Sequence, residues 1–596
     1  MSNENLLPSG REDAQSQVPA LRQLAAMGYK ILTPEKVKRE RKESFSSVIL
    51  EGILEKWLRE NNQFEFNGSL LPFSEGAISR SIQYLKEEEF EGLGKESQRA
   101  YELIRFGKTV EQSIKGETKS LTLKYVDWVN PERNVFHAAY EFSVLKRSSS
   151  EKCRSDIILF VNGIPFVAIE CKSDKVKLEK AIEQHLSYQS HDLIPNLYRF
   201  IQVAIVVNRR DGTYGTSGTE KKFWSKWKEK EISEDEVFYT INQILPSDQL
   251  EAIEEYFEVS GLAGDRQVSG QDRLIQSLCR PDRLIELARF FVPFDSGIKK
   301  IARWQQFFAV NDILKRIKRK SAEGRREGGL VWHTQGSGKS LTMIMLADRI
   351  TQDPDIINPR ILAITDRKDL DRQLTETFRH CEKNPVQAKT GAELRELVEK
   401  GTTVVTSIID KFGACMKGRE IVDDSSEIFV LIDEGHRGQY GLKNTSLRKV
   451  FPNACFIAFT GTPILKKDKD TIRKFGRVVQ PVYNMKDAVE DRAVLPILFE
   501  GRDILKEVQE IPLDAGFGQV SEGLSDHQKK QLVDKAKRKE MLQTSSVMHA
   551  VAQSVSEHFE KHWKGTGFKA QLVVWRKKVA VQMKESFDEI GKLTSE

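Results

Sequence analysis

Residues Ser155 to Lys172, SDIILFVNGIPFVAIECK, form two apolar runs on either side of Asn162-Gly163. Asparagine and glycine accept the left-handed backbone of a tight hairpin, so the stretch reads as strand, turn and strand. A helical run follows, KVKLEKAIEQHLSYQ (Lys175 to Gln189), and then a third apolar run, FIQVAIVVN (Phe200 to Asn208). Strand, turn, strand, helix, strand is the order of a mixed α/β core. The second strand raises a chemical question, because it ends in Glu170 and Lys172. Residues two apart on a strand share a face, so the carboxylate and the ammonium stand side by side and either neutralise each other or share a task.

Asp156 on the partner strand completes an Asp…Glu-x-Lys set. Hydrolysis of a phosphodiester needs carboxylates to hold Mg²⁺ against the scissile phosphate and a lysine to stabilise charge or position water. The set is weak by itself, but the hairpin supplies a test. A plain two-residue turn at Asn162-Gly163 places Asp156 opposite Ile169, on the other side of the sheet from Glu170. A nuclease site therefore predicts an odd loop, such as Val161-Asn162-Gly163, or a bulge that returns Asp156 and Glu170 to one face. Downstream, Gln184 and Tyr188 are spaced i, i+4 and share a helical face.

At 596 residues the chain exceeds a single core, and domains of ~100 to 200 residues imply three or four units. Its 93 basic and 87 acidic residues leave a formal charge of +6, mild support for a polyanionic partner. Cys153, Cys171, Cys279, Cys381, Cys415 and Cys455 are scattered singly, as expected of reduced thiols in a cytoplasmic protein. The polar N-terminus lacks the basic and apolar regions of a secretory signal, and no apolar run reaches the ~18 residues of a membrane span. The first ~20 residues read as frayed by composition.

Past a Gly-rich stretch at Val259 to Arg273, which reads as a joint, short apolar strands recur between helices: GGLVWHT, RILAIT, TTVVTS, IFVLID and CFIAFTGT. Runs of this kind belong to parallel strands buried on both faces, hence to a doubly wound sheet. The segment VWHTQGSGKS (Val331 to Ser340) places a strand before a phosphate-cradling loop and a helix after it. Thr334, Gly336, Ser337 and Gly338 offer backbone to phosphate oxygens, Lys339 reaches the β/γ-phosphates of ATP and Ser340 ligates Mg²⁺. His333 stands where the usual pattern has its first glycine. IFVLIDEGH supplies the second carboxylate site, with Asp433 on Mg²⁺ and Glu434 orienting or deprotonating the attacking water.

DEGH resembles motif II of superfamily 2 helicases and translocases, and FTGTP (Phe459 to Pro463) resembles their motif III. RWQQ, with Arg303 and Gln306, is similar to the adenine-contacting element of that family. TDRKDLDRQL (Thr365 to Leu374) and TSIIDKF (Thr406 to Phe412) are similar to the motifs that touch the nucleic-acid backbone. The hairpin with the later QHLSY resembles the PD-(D/E)xK nuclease fold in the variety whose helix carries QxxxY. That resemblance implies an active site of Asp156, Glu170, Lys172 and Gln184, with Tyr188 close by, Asp156 and Glu170 holding the metal, and Glu141 as a candidate further carboxylate.

Nuclease and translocase together resemble the restriction (R) subunit of type I restriction-modification enzymes. The resemblance implies α/β architecture throughout: a PD-(D/E)xK-like mixed sheet, a RecA-like parallel sheet, and the start of a second RecA-like domain at FKAQLVVWRKK (Phe568 to Lys578). The corresponding divisions are a flexible tail over 1–28, an endonuclease domain over 29–258, a joint over 259–298, a first motor domain over 299–496, a helical segment over 497–564 and the truncated second motor domain over 565–596. ATP and Mg²⁺ are the implied cofactors. Double-stranded DNA and the methyltransferase (M) and specificity (S) subunits are the implied partners, with no membrane. The rival readings are a helicase or remodeller carrying an inactive nuclease relic, and a docking subunit without turnover. Three further features have blander accounts: LKRIKRK (Leu314 to Lys320) as a solvated helix face, Trp224 and Trp227 as packing residues, and His558 and His562 as helix neighbours without a third zinc ligand.

Overall fold

The structure, a computed structural model, describes residues 13–88, 91–114, 117–258, 266–381, 383–415, 423–434, 447–462 and 475–496, a few positions between 499 and 529, and residues 545–574 and 576–591. The chain divides into two compact units, Met1–Leu495 and Pro496–Glu596.

The first unit contains two six-stranded sheets. The N-terminal sheet is formed by β1 (Lys30–Leu32), β2 (Phe136–Leu145), β3 (Lys152–Val161), β4 (Ile164–Lys172), β5 (Val203–Asn208) and β6 (Asp211–Gly215), in that spatial order. β1 is parallel to β2, the β2–β3–β4 meander is antiparallel, and β4 and β5 are parallel. A parallel step needs a crossover, and the helix Leu178–Tyr188 provides it. The strand, turn, strand, helix, strand order read from the sequence is thus the centre of this sheet.

The motor sheet is wholly parallel, formed by β7 (Gly329–Trp332), β8 (Arg360–Thr365), β9 (Val386–Gln387), β10 (Val404–Ile408), β11 (Ile428–Asp433) and β12 (Cys455–Thr460). Its order, β7-β12-β11-β8-β10-β9, is doubly wound and RecA-like, as expected. β7 lies at one edge, and the segment around Val478–Tyr483 runs parallel beside it through two isolated bridges.

Two expectations about domain boundaries need correction. Residues 13–26 are not a frayed tail: a π-helical turn at Asp13–Gln17 leads into α1 (Val18–Ala26), and Val18, Ala20, Leu21 and Leu24 are fully buried. Their apolar periodicity is diluted by the polar residues before them when composition is averaged. The stretch at 259–273 is only in part a joint. Residues 259–265 lie outside the described residues, but Ser269 caps α2 (Gly270–Cys279) through a capping box with Asp272. α2 and α3 (Pro281–Phe290) are largely buried, and one apolar core runs without a break from Val18 to Val479.

In the second unit, α4 (Ser545–His562) and α5 (Lys577–Ile590) pack through Met548, Ala552, Val579, Met583 and Phe587. The expected strand at the start of FKAQLVVWRKK is not formed. Phe568 to Val574 carry no ladder, and Phe568 and Val573 are exposed. A strand exists through its hydrogen-bonded neighbour, and none is found among the described residues of this unit.

Candidate active sites

The β3–β4 hairpin turns on two residues, with Val161 opposite Ile164, Asn162 at φ +53 and Gly163 at φ +84. The register shifts by one between Leu159 and Phe160, so that Phe160 opposes Pro165 and Leu159 opposes Val167. Phe166 is therefore the extra residue of a β-bulge. Beyond it Ile157 opposes Ile169, and Asp156 and Glu170 fall opposite each other on one face. The bulge expected of a nuclease site is present, three residues past Gly163 in the strand and not in the loop itself. Pro165, which has no N–H for the ladder, is the residue that signals it.

The Lys172 ammonium stands 3.5 Å from Glu170 Oε2 and 3.6 Å from Asp156 Oδ2. The Cys171 amide donates to Asp156 Oδ2 at 2.7 Å. Glu170 is fully buried, and its Oε1 has no hydrogen-bond partner among the described residues. Burial pushes its carboxyl well above the usual range, the Asp156 charge adds to this, and Lys172 opposes it. Gln184 donates to the Tyr188 hydroxyl at 3.0 Å, and that hydroxyl donates to the Arg154 carbonyl at 3.1 Å. Burial and then the Glu170 charge raise the Tyr188 phenol, which places it within electrostatic reach of the acid.

Glu141 does not join a metal cluster. Its carboxylate meets Arg154 Nε at 2.7 Å and accepts from Gln17 Nε2 at 3.1 Å. No group of three or more His, Cys, Asp or Glu side chains placed to hold a metal occurs among the described residues. A divalent ion would thus rest on the Asp156–Glu170 pair, and the open Glu170 oxygen fits it. Gln17 enters the site from the segment read as a tail, so sequence patterning carries no signal for it.

At the carboxyl end of β7, Thr334 and Ser337 close a turn in which Ser337 Oγ donates to the Thr334 carbonyl at 2.6 Å. Gly336 and Gly338 have φ of +77 and +87, and Lys339 and Ser340 open α6 (Lys339–Thr351). Gln306, in α7 (Trp304–Ile317), which precedes α6 in the chain, accepts from its own Arg303 amide at 2.8 Å and donates to the Gly338 carbonyl at 3.0 Å. Of the two expected base-contacting residues, Gln306 therefore braces the phosphate loop directly, and Arg303 only holds Gln306 through its backbone amide. A Cβ at Gly338 would meet Gln306 Nε2 at 2.7 Å, and one at Gly461 would meet Lys339 Nζ at 3.0 Å. Close approach to the loop accounts for both glycines.

Lys339 Nζ lies 3.5 Å from Glu434 Oε1. Asp433, at the end of β11 and one strand removed from β7, is raised to about 6 by burial against the pull of Lys339. His333 is fully buried: its Nε2 meets the Pro481 carbonyl at 3.2 Å, and burial lowers it to about 4, so it is neutral. It packs the edge of the sheet, and the first-glycine position is filled by core. Gly435, His436 and Pro463 lie outside the described residues.

Two of the blander readings match what the side chains touch. Trp227 packs on Tyr214, Phe307 and Phe308. Lys318 and Lys320 of LKRIKRK pair with acids, and no described helix is long and apolar enough to cross a membrane.

Comparison with known proteins finds a family match over each of the two parts of the chain. Residues 10–223 match the type I restriction enzyme R protein N terminus, and residues 305–530 match the SWI2/SNF2 ATPase family. The chain is 28% identical over 592 residues to a Methanocaldococcus jannaschii protein named for the MjaIXP type I restriction enzyme endonuclease subunit, covering 96% of this chain and 54% of that one. It is 29% identical over 538 residues to the type I restriction enzyme HindI endonuclease subunit of Haemophilus influenzae, covering 85% and 48%. The chain spans about half the length of these curated relatives. Among solved structures, the UvsW helicase from bacteriophage T4 aligns over 39% of this chain and 77% of its own at 18% identity and a TM-score of 0.26. The chain thus joins a segment similar to the type I restriction enzyme R protein N terminus to one similar to SWI2/SNF2 ATPases, and over most of its length it resembles the endonuclease subunits of type I restriction enzymes.

Proposed function

We propose that this chain acts as the restriction subunit of a type I restriction-modification enzyme, coupling ATP-dependent translocation of double-stranded DNA to Mg²⁺-dependent cleavage. The observation that carries the nuclease half is the bulge at Phe166, which brings Asp156, Glu170 and Lys172 together on one face. A hairpin of purely structural charge pairs has no need of a fully buried glutamate with an open oxygen.

Asp156 and Glu170 would hold Mg²⁺, which when bound draws charge from the scissile phosphate and favours ionisation of a water. Lys172, within reach of both carboxylates, opposes the burial that favours the neutral form of Glu170 and offers its ammonium to the charge that develops on the phosphate. Gln184 and Tyr188 fix the helix that covers the strand. In the motor, Gly336, Ser337, Gly338 and Lys339 bind the triphosphate of ATP, Ser340 and Asp433 hold its Mg²⁺, Glu434 orients the attacking water, and Arg303 and Gln306 support the loop. Choice of DNA sequence resides in the specificity subunit, with the methyltransferase as the further partner.

The test is nicking of plasmid DNA by the full-length chain with its methyltransferase and specificity subunits, with and without ATP, in wild type and Glu170→Ala. Cleavage in wild type alone, and only with ATP and Mg²⁺, is the expected result. Equal cleavage in Glu170→Ala, or ATP consumption with no cleavage in wild type, would replace the proposal with a remodeller carrying an inert nuclease fold.

A further inference from the structure

The β2–β3 ladder is interrupted at one point beside the nuclease site. Tyr140 opposes Ile157 and Phe142 opposes Ser155, but Glu141 and Asp156 between them do not pair, and Glu141 stands at φ +52. A side chain with a Cβ rarely adopts that backbone, at a cost of roughly 1 kcal/mol or more, so something must hold it there. The gap also leaves a strand carbonyl in need of a donor.

Gln17 fills the gap. Its Nε2 donates to the Asp156 carbonyl at 2.9 Å and to Glu141 Oε1 at 3.1 Å, and the residue is 4% exposed. Its neighbour is locked in turn: Ser16 Oγ donates to Gln271 Oε1 at 2.6 Å, and Gln271 Nε2 returns to the Ser16 carbonyl at 2.8 Å. The Glu141 carboxylate is held on its other side by Arg154. One amide thus stands in for the missing ladder at the residue whose carboxylate faces Glu170.

We propose that Gln17 is a positioning residue for the nuclease site, fixing the backbone of Asp156 and the orientation of Glu141 from the N-terminal helix. The inference rests on the reading of Asp156 and Glu170 as the metal-holding pair. Groups that orient metal ligands typically matter by about 10- to 100-fold in metal affinity when removed.

The test compares wild type, Gln17→Met, which keeps the length and removes the donor, Glu141→Gln and Glu170→Ala. Hydrogen exchange over residues 153–158 and nucleotide-free Mn²⁺ calorimetry are measured on the full-length chain. The Mg²⁺ dependence of cleavage is measured on the assembled complex. In Gln17→Met, exchange over 153–158 should rise about ten-fold, with the melting temperature little changed. Mn²⁺ should bind about ten-fold more weakly, and half-maximal cleavage should need correspondingly more Mg²⁺, while the rate at saturating Mg²⁺ falls less than about three-fold. Glu141→Gln should stay near wild type in Mn²⁺ affinity.

Unchanged exchange and affinity in Gln17→Met would overturn the proposal. So would a Glu141→Gln loss as large as that of Glu170→Ala, which would make Glu141 a ligand. If wild type and Glu170→Ala bind Mn²⁺ alike, the metal-pair reading has failed, and the exchange comparison still decides what Gln17 does to Asp156. Should Gln17→Met not fold, Gln17→Asn, an amide one methylene shorter, supplies the same comparison.

Discussion

Glu170 is an acid placed where water does not reach it. Burial first, and the Asp156 charge second, make its folded state hold a proton more tightly than the unfolded chain does. With the pKa raised on folding, the native state binds more protons, so metal-free stability falls as pH rises from the ordinary glutamate value of about 4.3 toward the shifted one. The slope reaches at most about 1.4 kcal/mol per pH unit. Glu170→Gln removes that slope. In the absence of divalent metal, Glu170→Gln should resist urea better than wild type above pH 7, and the two should converge near pH 4. Mg²⁺ should reverse the order, because only the wild-type carboxylate gains from binding it. Urea midpoints across pH, with EDTA and then with Mg²⁺, check this, and parallel curves would mean that Glu170 carries no special ionisation cost.

The element that sets this geometry is the hairpin. Asn162 anchors its turn, donating from Nδ2 to the Tyr125 carbonyl at 2.9 Å and to Asn134 Oδ1 at 2.8 Å. Gly163 is left-handed, and a Cβ there would meet the Leu50 carbonyl oxygen at 2.6 Å. Gly163→Ala should therefore cost about 2 kcal/mol or more, adding backbone strain to a clash with main chain that has no rotamer to give. A urea midpoint within error of wild type would refute that. The hairpin also marks the limit of what was legible in the sequence. Its strands are plain because apolar runs and an Asn-Gly turn are local signals. The bulge at Phe166 is not, because a bulged phenylalanine looks like any other apolar residue in IPFVAI, and only the neighbouring proline hints at it. The motor strands and the phosphate loop were legible for the same local reason. Gln17 was not, since its role depends on a gap between strands more than a hundred residues away.

At the scale of the whole first unit, the nuclease-like and motor sheets share one core, so the molecule is less divided than its motifs imply. The joint includes charge as well as apolar surface. Arg105, at the end of the helix Leu93–Phe106, meets Asp348 of the phosphate-loop helix α6 at 2.6 Å, with both side chains about nine-tenths buried. Lys383 reaches the same carboxylate at 2.6 Å. Burial alone would raise Asp348, but Arg105 and Lys383 more than offset it and hold its carboxyl below the usual range. Removing one partner of a buried pair leaves a charge without its counterion, which typically costs about 3 to 5 kcal/mol. Because Lys383 remains, Arg105→Ala should fall at or just below the low end, about 2 to 3 kcal/mol. A double-mutant cycle of Arg105→Ala with Asp348→Ala, followed by urea unfolding, separates this from a surface contact. A coupling above about 1 kcal/mol identifies a desolvated tie between the nuclease-like layer and the helix that carries the ATP loop. Additive losses would place the pair with solvent-screened bridges, which are worth about 0 to 1 kcal/mol, and would leave the apolar core as the link between the two sheets.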